Sequence, residues 1–171
     1  MEKSIKNLCV ITFGLFIFSL SIAVSQICNA AEQTSETKTV AAYLSDLKPI
    51  PESSPYLVDK DVEGNPLQIN GVQFKKGLCV DTNSELIYRI SGKYSTLKVV
   101  VGHADAYREY SGKLTFAIYG DGKKIYETKP LSATETEEIN VKVDDVGDLA
   151  LRVNDDGQHS RFVIWGDASL Y

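Results

Sequence analysis

The chain of 171 residues is poor in the side chains from which metal and redox centres are usually built, with three cysteines, two histidines and one methionine. A four-cysteine zinc ribbon or an iron–sulfur cluster needs more cysteines than this, and the Cys-x-x-Cys-His spacing of a c-type haem is absent. Neither Gly-x-Ser-x-Gly nor His-Glu-x-x-His occurs, so the sequence shows no nucleophile–base pair. We therefore expect a protein that is not an enzyme.

Positive charge is also scarce. Lys and Arg total 18 against 23 Asp and Glu, which gives a net charge of -5, and no basic run occurs. Nucleic-acid binding depends on Lys and Arg that neutralise phosphates, so this composition argues against a nucleic-acid partner.

The first thirty residues have the order of a secretory signal. Lys3 and Lys6 precede an uncharged apolar run at 8–24, and small or polar residues follow. We expect cleavage after Ala30, with Ala31 as the near alternative, and a secreted or periplasmic protein without a membrane span after cleavage. The other interpretation is an uncleaved anchor, because a run of this length lies at the short end of the range that spans a bilayer.

Cleavage would leave a polar linker at 31–41 and one domain at 42–171. Cys79 would be the remaining cysteine of the exported chain, so an internal disulfide is not expected. Leu78 and Val80 flank this cysteine, which predicts a small buried side chain rather than a reactive thiol.

The domain reads as a series of short strands. Apolar, β-branched and alternating runs separated by turn residues predict strands at 72–80, 86–90, 97–101, 114–119, 124–128, 139–143, 149–153 and 162–170. Gly120-Asp121-Gly122 predicts a tight hairpin, because glycine adopts the positive φ that such turns need. No window shows a sustained helical period. The pattern favours an all-β fold, an antiparallel β-sandwich or barrel, and excludes a parallel βαβ sheet.

Several of these segments together resemble the NPCBM family of carbohydrate-binding modules. The resemblance covers 43–171 and rests on YLSDL at 43–47, DVEGNPL at 61–67, KGL at 76–78, IY at 87–88, GKY at 92–94, YGDGKKIY at 119–126 and WGDA at 165–168. It implies a galactose-binding-domain-like jelly roll of the discoidin type. It also implies binding to galactose-type sugars, a structural calcium in some members, and frequent association with glycoside hydrolases.

The chain departs from the family pattern at polar loop positions. The usual Gly-Leu-Gly-Val-His stretch is GLCVD at 77–81, Gly-Val-Asp-Asp is GHAD at 102–105, and Asp-His-Ala-Asp-Trp is RFVIW at 161–165. The resemblance therefore carries over the fold but not the sugar specificity.

Three loops and the last strand carry side chains suited to a saccharide. Arg paired with Asp or Asn can hold adjacent hydroxyl groups, and aromatic rings pack on the C–H face of a pyranose. The candidate ligand-binding residues are Asp81, Asn83, His103, Asp105, Tyr107, Arg108, His159, Arg161 and Trp165. If the loops emerge at one end of the sandwich, they form a shallow polar rim. The alternatives are solvated turns for the loops and a core position for Trp165, which follows two apolar residues.

A calcium site is the remaining candidate. Ca²⁺ takes six to eight oxygen ligands, and DVEGN offers Asp61, Glu63 and Asn65 around a glycine bend. Asp167 near the C-terminus could complete the set. The alternative is an acidic turn without metal.

The sequence thus predicts a secreted, non-catalytic carbohydrate-binding module that recognises galactose-type or related glycans through loops at one end of a β-sandwich. The alternative is an exported protein–protein or cell-surface structural module that keeps the scaffold without the sugar site.

Overall fold

The computed structural model describes residues 39–110, 112–157 and 162–171. Within these ranges twelve strands follow one another along the chain. They are β1 Ala42–Tyr43, β2 Tyr56–Val58, β3 Leu67–Ile69, β4 Val72–Phe74, β5 Gly77–Asp81, β6 Ser84–Arg89, β7 Thr96–His103, β8 Leu114–Gly120, β9 Lys123–Glu127, β10 Thr136–Lys142, β11 Asp148–Asp155 and β12 Phe162–Leu170. Two 3₁₀ segments, Leu44–Asp46 and Asp105–Tyr110, interrupt them.

Two antiparallel sheets form the domain, which confirms the predicted β-sandwich. The first sheet has the order β10-β7-β12-β5-β2, with β1 added beside β12, and the second has the order β6-β11-β8-β9. β3 and β4 form a separate two-stranded hairpin. Every strand pair of the described residues is antiparallel, but only β3–β4 and β8–β9 join neighbours by a short turn, and the other neighbours are not consecutive in the chain.

The main core lies between the two sheets, and we call it the inner core. Val99, Val101 and Trp165 contribute to it from the first sheet, and Phe116 and Leu151 from the second. Successive strand residues point to opposite faces, so the alternating sequence places every second residue in this core. The rings of Phe116 and Trp165 meet edge to face with centroids 5.1 Å apart.

A second apolar cluster, the outer cluster, lies apart from the inner core, around the β3–β4 hairpin. It consists of Leu67, Ile69, Phe74, Cys79, Ala104 and Ile164, with half-buried Leu57, Val100, Tyr107 and Phe162 against it. Cys79 is buried there as predicted, and burial raises the pKa of its thiol to about 12. The thiol is therefore protonated at neutral pH and a poor nucleophile.

The hairpin sits directly on backbone at two glycines of the first sheet. A Cβ on Gly102 would lie 2.5 Å from Cγ2 of Ile69, and one on Gly166 would lie 2.7 Å from the ring of Phe74. Only a residue without a side chain allows this close approach.

The predicted strand positions are confirmed with one correction. The run at 72–80 is two strands, β4 and β5. The chain turns at Lys75 and Lys76, so that β4 belongs to the hairpin and β5 to the first sheet. β1, β2 and β3 were not predicted. Within the described ranges no helix has the length and apolar character needed to cross a membrane. The predicted signal at 1–30 and most of the linker lie outside these ranges.

Candidate functional site

Three strand ends bring the predicted loops together. Phe162 at the start of β12 pairs with Asp81 at the end of β5, and Val163 pairs with His103 at the end of β7. The turn after Asp81, the 3₁₀ segment after His103 and the first residue of β12 therefore lie at one end of the first sheet. Two of the three predicted loops thus meet here, and the third, at 158–161, lies outside the described residues.

A cavity of about 420 Å³ opens at this end, and we call it the first cavity. Tyr56, Val62 and Phe162 contribute to its apolar lining, while Asp81 and Asn83 lie on its polar side. Asp81 is the one charged residue among the described residues that line it. The size and the mixture of apolar surface with a few polar groups are typical of small-ligand sites.

The polar side of the first cavity is a turn held in place by its own hydrogen bonds. Asn83 adopts a φ of 57°, a left-handed conformation that Asn tolerates better than most residues. The amide of Thr82 donates to Oδ1 of Asp81 at 2.8 Å. The amide of Asp155 donates to Oδ1 of Asn83 at 3.3 Å, which ties the turn to β11. These two hydrogen bonds use Oδ1 of Asp81 and Oδ1 of Asn83, and they involve neither Oδ2 of Asp81 nor Nδ2 of Asn83.

Asp105 and Arg108 bind the tip of the β3–β4 hairpin through hydrogen bonds to Asn70 and Gly71, and we call this group of contacts the clasp. The carboxylate of Asp105 accepts the amides of Asn70 and Gly71, at 2.6 and 2.7 Å, at the tip of the β3–β4 hairpin. Nη2 of Arg108 pairs with Asp105 at 2.6 Å and donates to Oδ1 of Asn70 at 3.1 Å. Both residues were predicted to hold sugar hydroxyls. In the structure they bind each other and the hairpin tip instead.

Tyr107 is half-buried against the outer cluster, and its ring lies edge to face with Phe162 at 4.9 Å. It therefore supports the ring that lines the first cavity, and it is not itself among the lining residues of that cavity.

His103 does not form part of a rim. It is buried at 2% exposure, because its place in β7 points it to the same face as Val101, into the inner core. Burial lowers the pKa of the imidazole, and the charge of Arg108 lowers it further, while a hydrogen bond with the backbone of Leu131 acts against both. Nε2 has no hydrogen-bond partner among the described residues. The prediction of an exposed His103 is wrong.

Trp165 is likewise a core residue, with 1% of its surface exposed and Phe116 against its ring. No face of the indole is open to a sugar. The core alternative holds for this residue, and the ligand-binding assignment is wrong.

A second cavity of about 350 Å³ lies beside the DVEGN loop. Its lining includes Asp61, Asn65, Gln68, Asp105 and Ile164. One predicted metal loop and one predicted sugar loop thus border the same space, which the sequence did not indicate.

The acidic loop is closed on itself. Oδ1 of Asp61 accepts the amides of Glu63 and Asn65 at 2.9 and 2.7 Å, and Nδ2 of Asn65 lies 3.3 Å from both Asp61 and Glu63. Asp167 is placed differently: its amide donates to the carbonyl of Lys76, and burial raises the pKa of its carboxyl.

The predicted acidic calcium ligands lie in two places, the DVEGN loop and Asp167. Among the described residues no three acidic, histidine or cysteine side chains come close enough to hold a metal ion, so Asp61, Glu63 and Asp167 do not form such a group. Calcium binding stays a sequence-based prediction.

His159 and Arg161 lie outside the described residues. Sequence reasoning missed Phe162, Tyr56 and Gln68 as cavity residues. Phe162 was inside a predicted strand, and its position beside the 158–161 loop was the available signal, since the first residue of a strand often borders the site that its loop forms.

Several of the departures from the family pattern lie together in the outer cluster. Cys79, Ala104 and Ile164, which stand where the pattern has Gly, Asp and Asp, are all members of the outer cluster, and Phe162 packs against it. Where the pattern has a glycine and two acidic residues, this chain therefore has three buried apolar side chains.

Comparisons with known proteins agree with the fold. A family model described as NPCBM/NEW2 domain matches residues 40–171. A curated protein of Renibacterium salmoninarum, named as a putative endo-alpha-N-acetylgalactosaminidase, is 26% identical over 112 residues, 63% of this chain and 7% of its own length. The chain thus corresponds to a small part of that relative.

Two solved structures from Clostridium perfringens are similar. The M60 catalytic domain of ZmpB with its CBM51-1 and CBM51-2 domains is 29% identical with a TM-score of 0.66, over 75% of this chain and 15% of that one. The CBM51 of GH95 in complex with methyl-galactose is 23% identical with a TM-score of 0.66, over 76% of this chain and 99% of that one.

Proposed function

Since the chain belongs to the NPCBM/NEW2 domain family, we propose that it is an exported, non-catalytic carbohydrate-binding module that takes galactose-type or related glycans in the first cavity. The family and its CBM51 neighbours support a carbohydrate-binding domain. The observation that carries the finer proposal is the pairing of the half-buried Phe162 ring with the Asp81–Asn83 turn in one cavity at the loop end.

The chemistry of this cavity suits a neutral sugar. The C–H face of a pyranose can pack on the accessible part of the Phe162 ring. The second oxygen of Asp81 and the amide of Asn83 can then accept from and donate to hydroxyl groups. A carboxylate is the strongest acceptor for hydroxyl donors, so Asp81 should orient the ring.

The test is titration of the purified full chain with methyl-galactose and with N-acetylglucosamine, followed by galactose-containing polysaccharides in affinity electrophoresis. Asp81→Asn keeps the shape and the bond to Thr82 and removes the charge. Phe162→Leu keeps apolar volume and removes the flat ring. We expect each to weaken binding at least tenfold with little change in melting temperature. Val58→Ser, on β2 outside both cavities, is the matched control.

Absence of binding to every sugar tested would overturn the sugar proposal. The alternative is then an exported protein–protein module. The apolar residues Ala104 and Ile164 favour that alternative, because they stand where the family pattern has carboxylates.

A further inference from the structure

The tip of the β3–β4 hairpin is an exposed Asn-Gly turn. Asn70 and Gly71 are the two residues between the strands, and both have a positive φ, of 47° and 81°. Asn-Gly is favoured in two-residue hairpin turns for this reason. The same dipeptide is prone to deamidation, because glycine has no side chain to shield the attacking nitrogen. We infer that Asn70 is a deamidation site that Asp105 keeps unreacted while the clasp is closed.

The reaction needs only water and the two residues of the turn. The backbone nitrogen of Gly71 attacks Cγ of the Asn70 side chain and forms a carbon–nitrogen bond. The side-chain nitrogen leaves as ammonia and carries away the amide proton of Gly71. Water then opens the resulting succinimide at one of its two carbonyls. The product is aspartate if the bond to Cγ breaks, and isoaspartate if the bond to the main-chain carbonyl breaks.

Asp105 acts on the attacking nitrogen. Its Oδ2 accepts the amide of Gly71 at 2.7 Å, and its Oδ1 accepts the amide of Asn70 at 2.6 Å. A hydrogen bond to a carboxylate stabilises the protonated amide. The negative charge beside the nitrogen also disfavours the amide anion that must form before attack. Asp105 therefore suppresses the step that starts the reaction.

Arg108 acts on the carbon that is attacked. Its Nη2 donates to Oδ1 of Asn70 at 3.1 Å and to Oδ1 of Asp105 at 2.6 Å. The first bond polarises the side-chain carbonyl, which makes Cγ a better electrophile. The second bond holds Asp105 in position on the two backbone amides. The clasp thus keeps an activated carbonyl beside a blocked nucleophile, so suppression depends on Asp105.

The β8–β9 turn offers a comparison within the molecule. It has the related dipeptide Asp121-Gly122, with φ values of 49° and 77°. The amides of Asp148 and Gly147 donate to the Asp121 carboxylate and lower its pKa. An ionised carboxylate is a poor target for attack, because oxygen must leave as water. Asp121 is therefore protected by its own charge, whereas the neutral Asn70 amide depends on its neighbours.

Either product should weaken the clasp. Aspartate at position 70 places a second carboxylate beside Asp105. Isoaspartate adds a backbone atom to a two-residue turn and moves the Gly71 amide away from its acceptor. The hairpin that rests on Gly102 and Gly166 would then lose the fastening at its tip. Deamidation is therefore a modification that releases the hairpin from the first sheet.

The experiment follows deamidation of the purified full chain during incubation at pH 8. Trypsin cuts after Lys60 and Lys75, and Asn70 is the one asparagine of that peptide that can cyclise. Asn65 precedes proline, which has no N–H. Mass spectrometry detects the replacement of the amide by a carboxyl group, and an isoaspartyl methyltransferase labels isoaspartate. The same chain unfolded in urea gives the unprotected rate.

The folded wild type should deamidate at Asn70 about tenfold or more slowly than the unfolded chain. Asp105→Ala should raise the rate in the folded state at least fivefold, because the Gly71 amide loses its acceptor. Val99→Ala is the matched control, since it truncates the inner core and leaves the clasp intact. It should keep the wild-type rate even though it lowers stability.

Three results would overturn the inference. The first is an equal rate in the folded and the unfolded wild type. The second is a wild-type rate in Asp105→Ala. The third is an acceleration in Val99→Ala as large as that in Asp105→Ala, because the rate would then follow overall stability and not the clasp. None of these measurements involves a sugar, so the outcome is independent of the proposed function.

Discussion

The inner core and the outer cluster are apolar regions built in different ways. The inner core is formed by long strands of both sheets, in which every second residue faces the same way and packs against the opposite sheet. The outer cluster is formed by a three-residue-per-strand hairpin laid on glycine backbone and fastened at its tip by Asp105 and Arg108. The first depends on periodicity, and the second on a few specific contacts.

This difference separates stability from binding. Truncation in the inner core removes packing that both sheets share, so the whole domain should respond. The outer cluster borders both cavities through Cys79, Phe162 and Ile164. Changes there should alter the shape of the binding surface at a smaller cost to folding.

The largest effect is expected from Trp165→Ala. Removal of a fully buried indole leaves a large cavity in the inner core and should lower the free energy of unfolding by about 3–5 kcal/mol. Denaturant unfolding monitored by circular dichroism measures this. Phe162→Leu, on the half-exposed ring of the same strand, is the control and should cost far less. A loss below that of the control would show that the inner core is not the main source of stability.

Asp105→Ala should have the next largest effect. The variant removes a charged acceptor from two backbone amides and from Arg108, and hydrogen bonds to charged groups contribute roughly 1.5–3 kcal/mol. Asp105→Asn retains one acceptor oxygen and should lose less. Hydrogen exchange at the Asn70 and Gly71 amides reads the clasp directly. Unchanged protection in Asp105→Ala would mean that the clasp does not hold the hairpin.

Gly102→Ala tests the seat of the hairpin. The new methyl group would lie 2.5 Å from Ile69, so the hairpin must move away from the sheet. Overpacking of this kind costs about 1–3 kcal/mol. Val72→Ala, at an exposed side chain of the same hairpin, should be nearly neutral. If both variants melt alike, the hairpin is not tightly seated.

The sequence predicted the inner core well for a physical reason. Alternation in segments such as 97–101 and 149–153 reports directly which face is buried. The hairpin escaped prediction because β3 is three residues long and follows a turn-rich loop, and a run that short has no readable period. The split at Lys75 and Lys76 was hidden by the apolar residues on both sides.

The candidate site was only half predictable. The convergence of loops was only a condition in the sequence analysis, because the order of the strands within the sheets was not predicted. Asp81 and Asn83 are indeed at the first cavity. His103 was placed wrongly, because loop proximity says nothing about which way a strand-end side chain points. For Trp165 the core alternative, indicated by the two apolar residues before it, is the correct one. Asp105 and Arg108 were expected to face a ligand, yet their partner is a hairpin tip more than thirty residues away in sequence.

The smallest effect concerns His103 and the pH dependence of stability. Burial lowers the pKa of this imidazole below its ordinary value of 6.5, so the folded domain favours the neutral form. Below pH 6.5 the unfolded chain binds more protons than the folded one, and stability therefore falls as the pH falls. At higher pH both states are neutral and the residue has no effect. Hydrogen bonds from the Asp148 and Gly147 amides lower the pKa of Asp121, so this carboxyl affects stability only near and below pH 3.8, its ordinary pKa.

Melting curves between pH 7.5 and 5 should show a melting temperature that falls with pH in the wild type. His103→Gln should reduce that fall, because glutamine keeps a hydrogen-bond donor and does not titrate. If the melting temperatures of the two proteins fall equally between pH 7.5 and 5, His103 does not gain a proton on unfolding. The buried imidazole would then make no contribution to the pH dependence of stability.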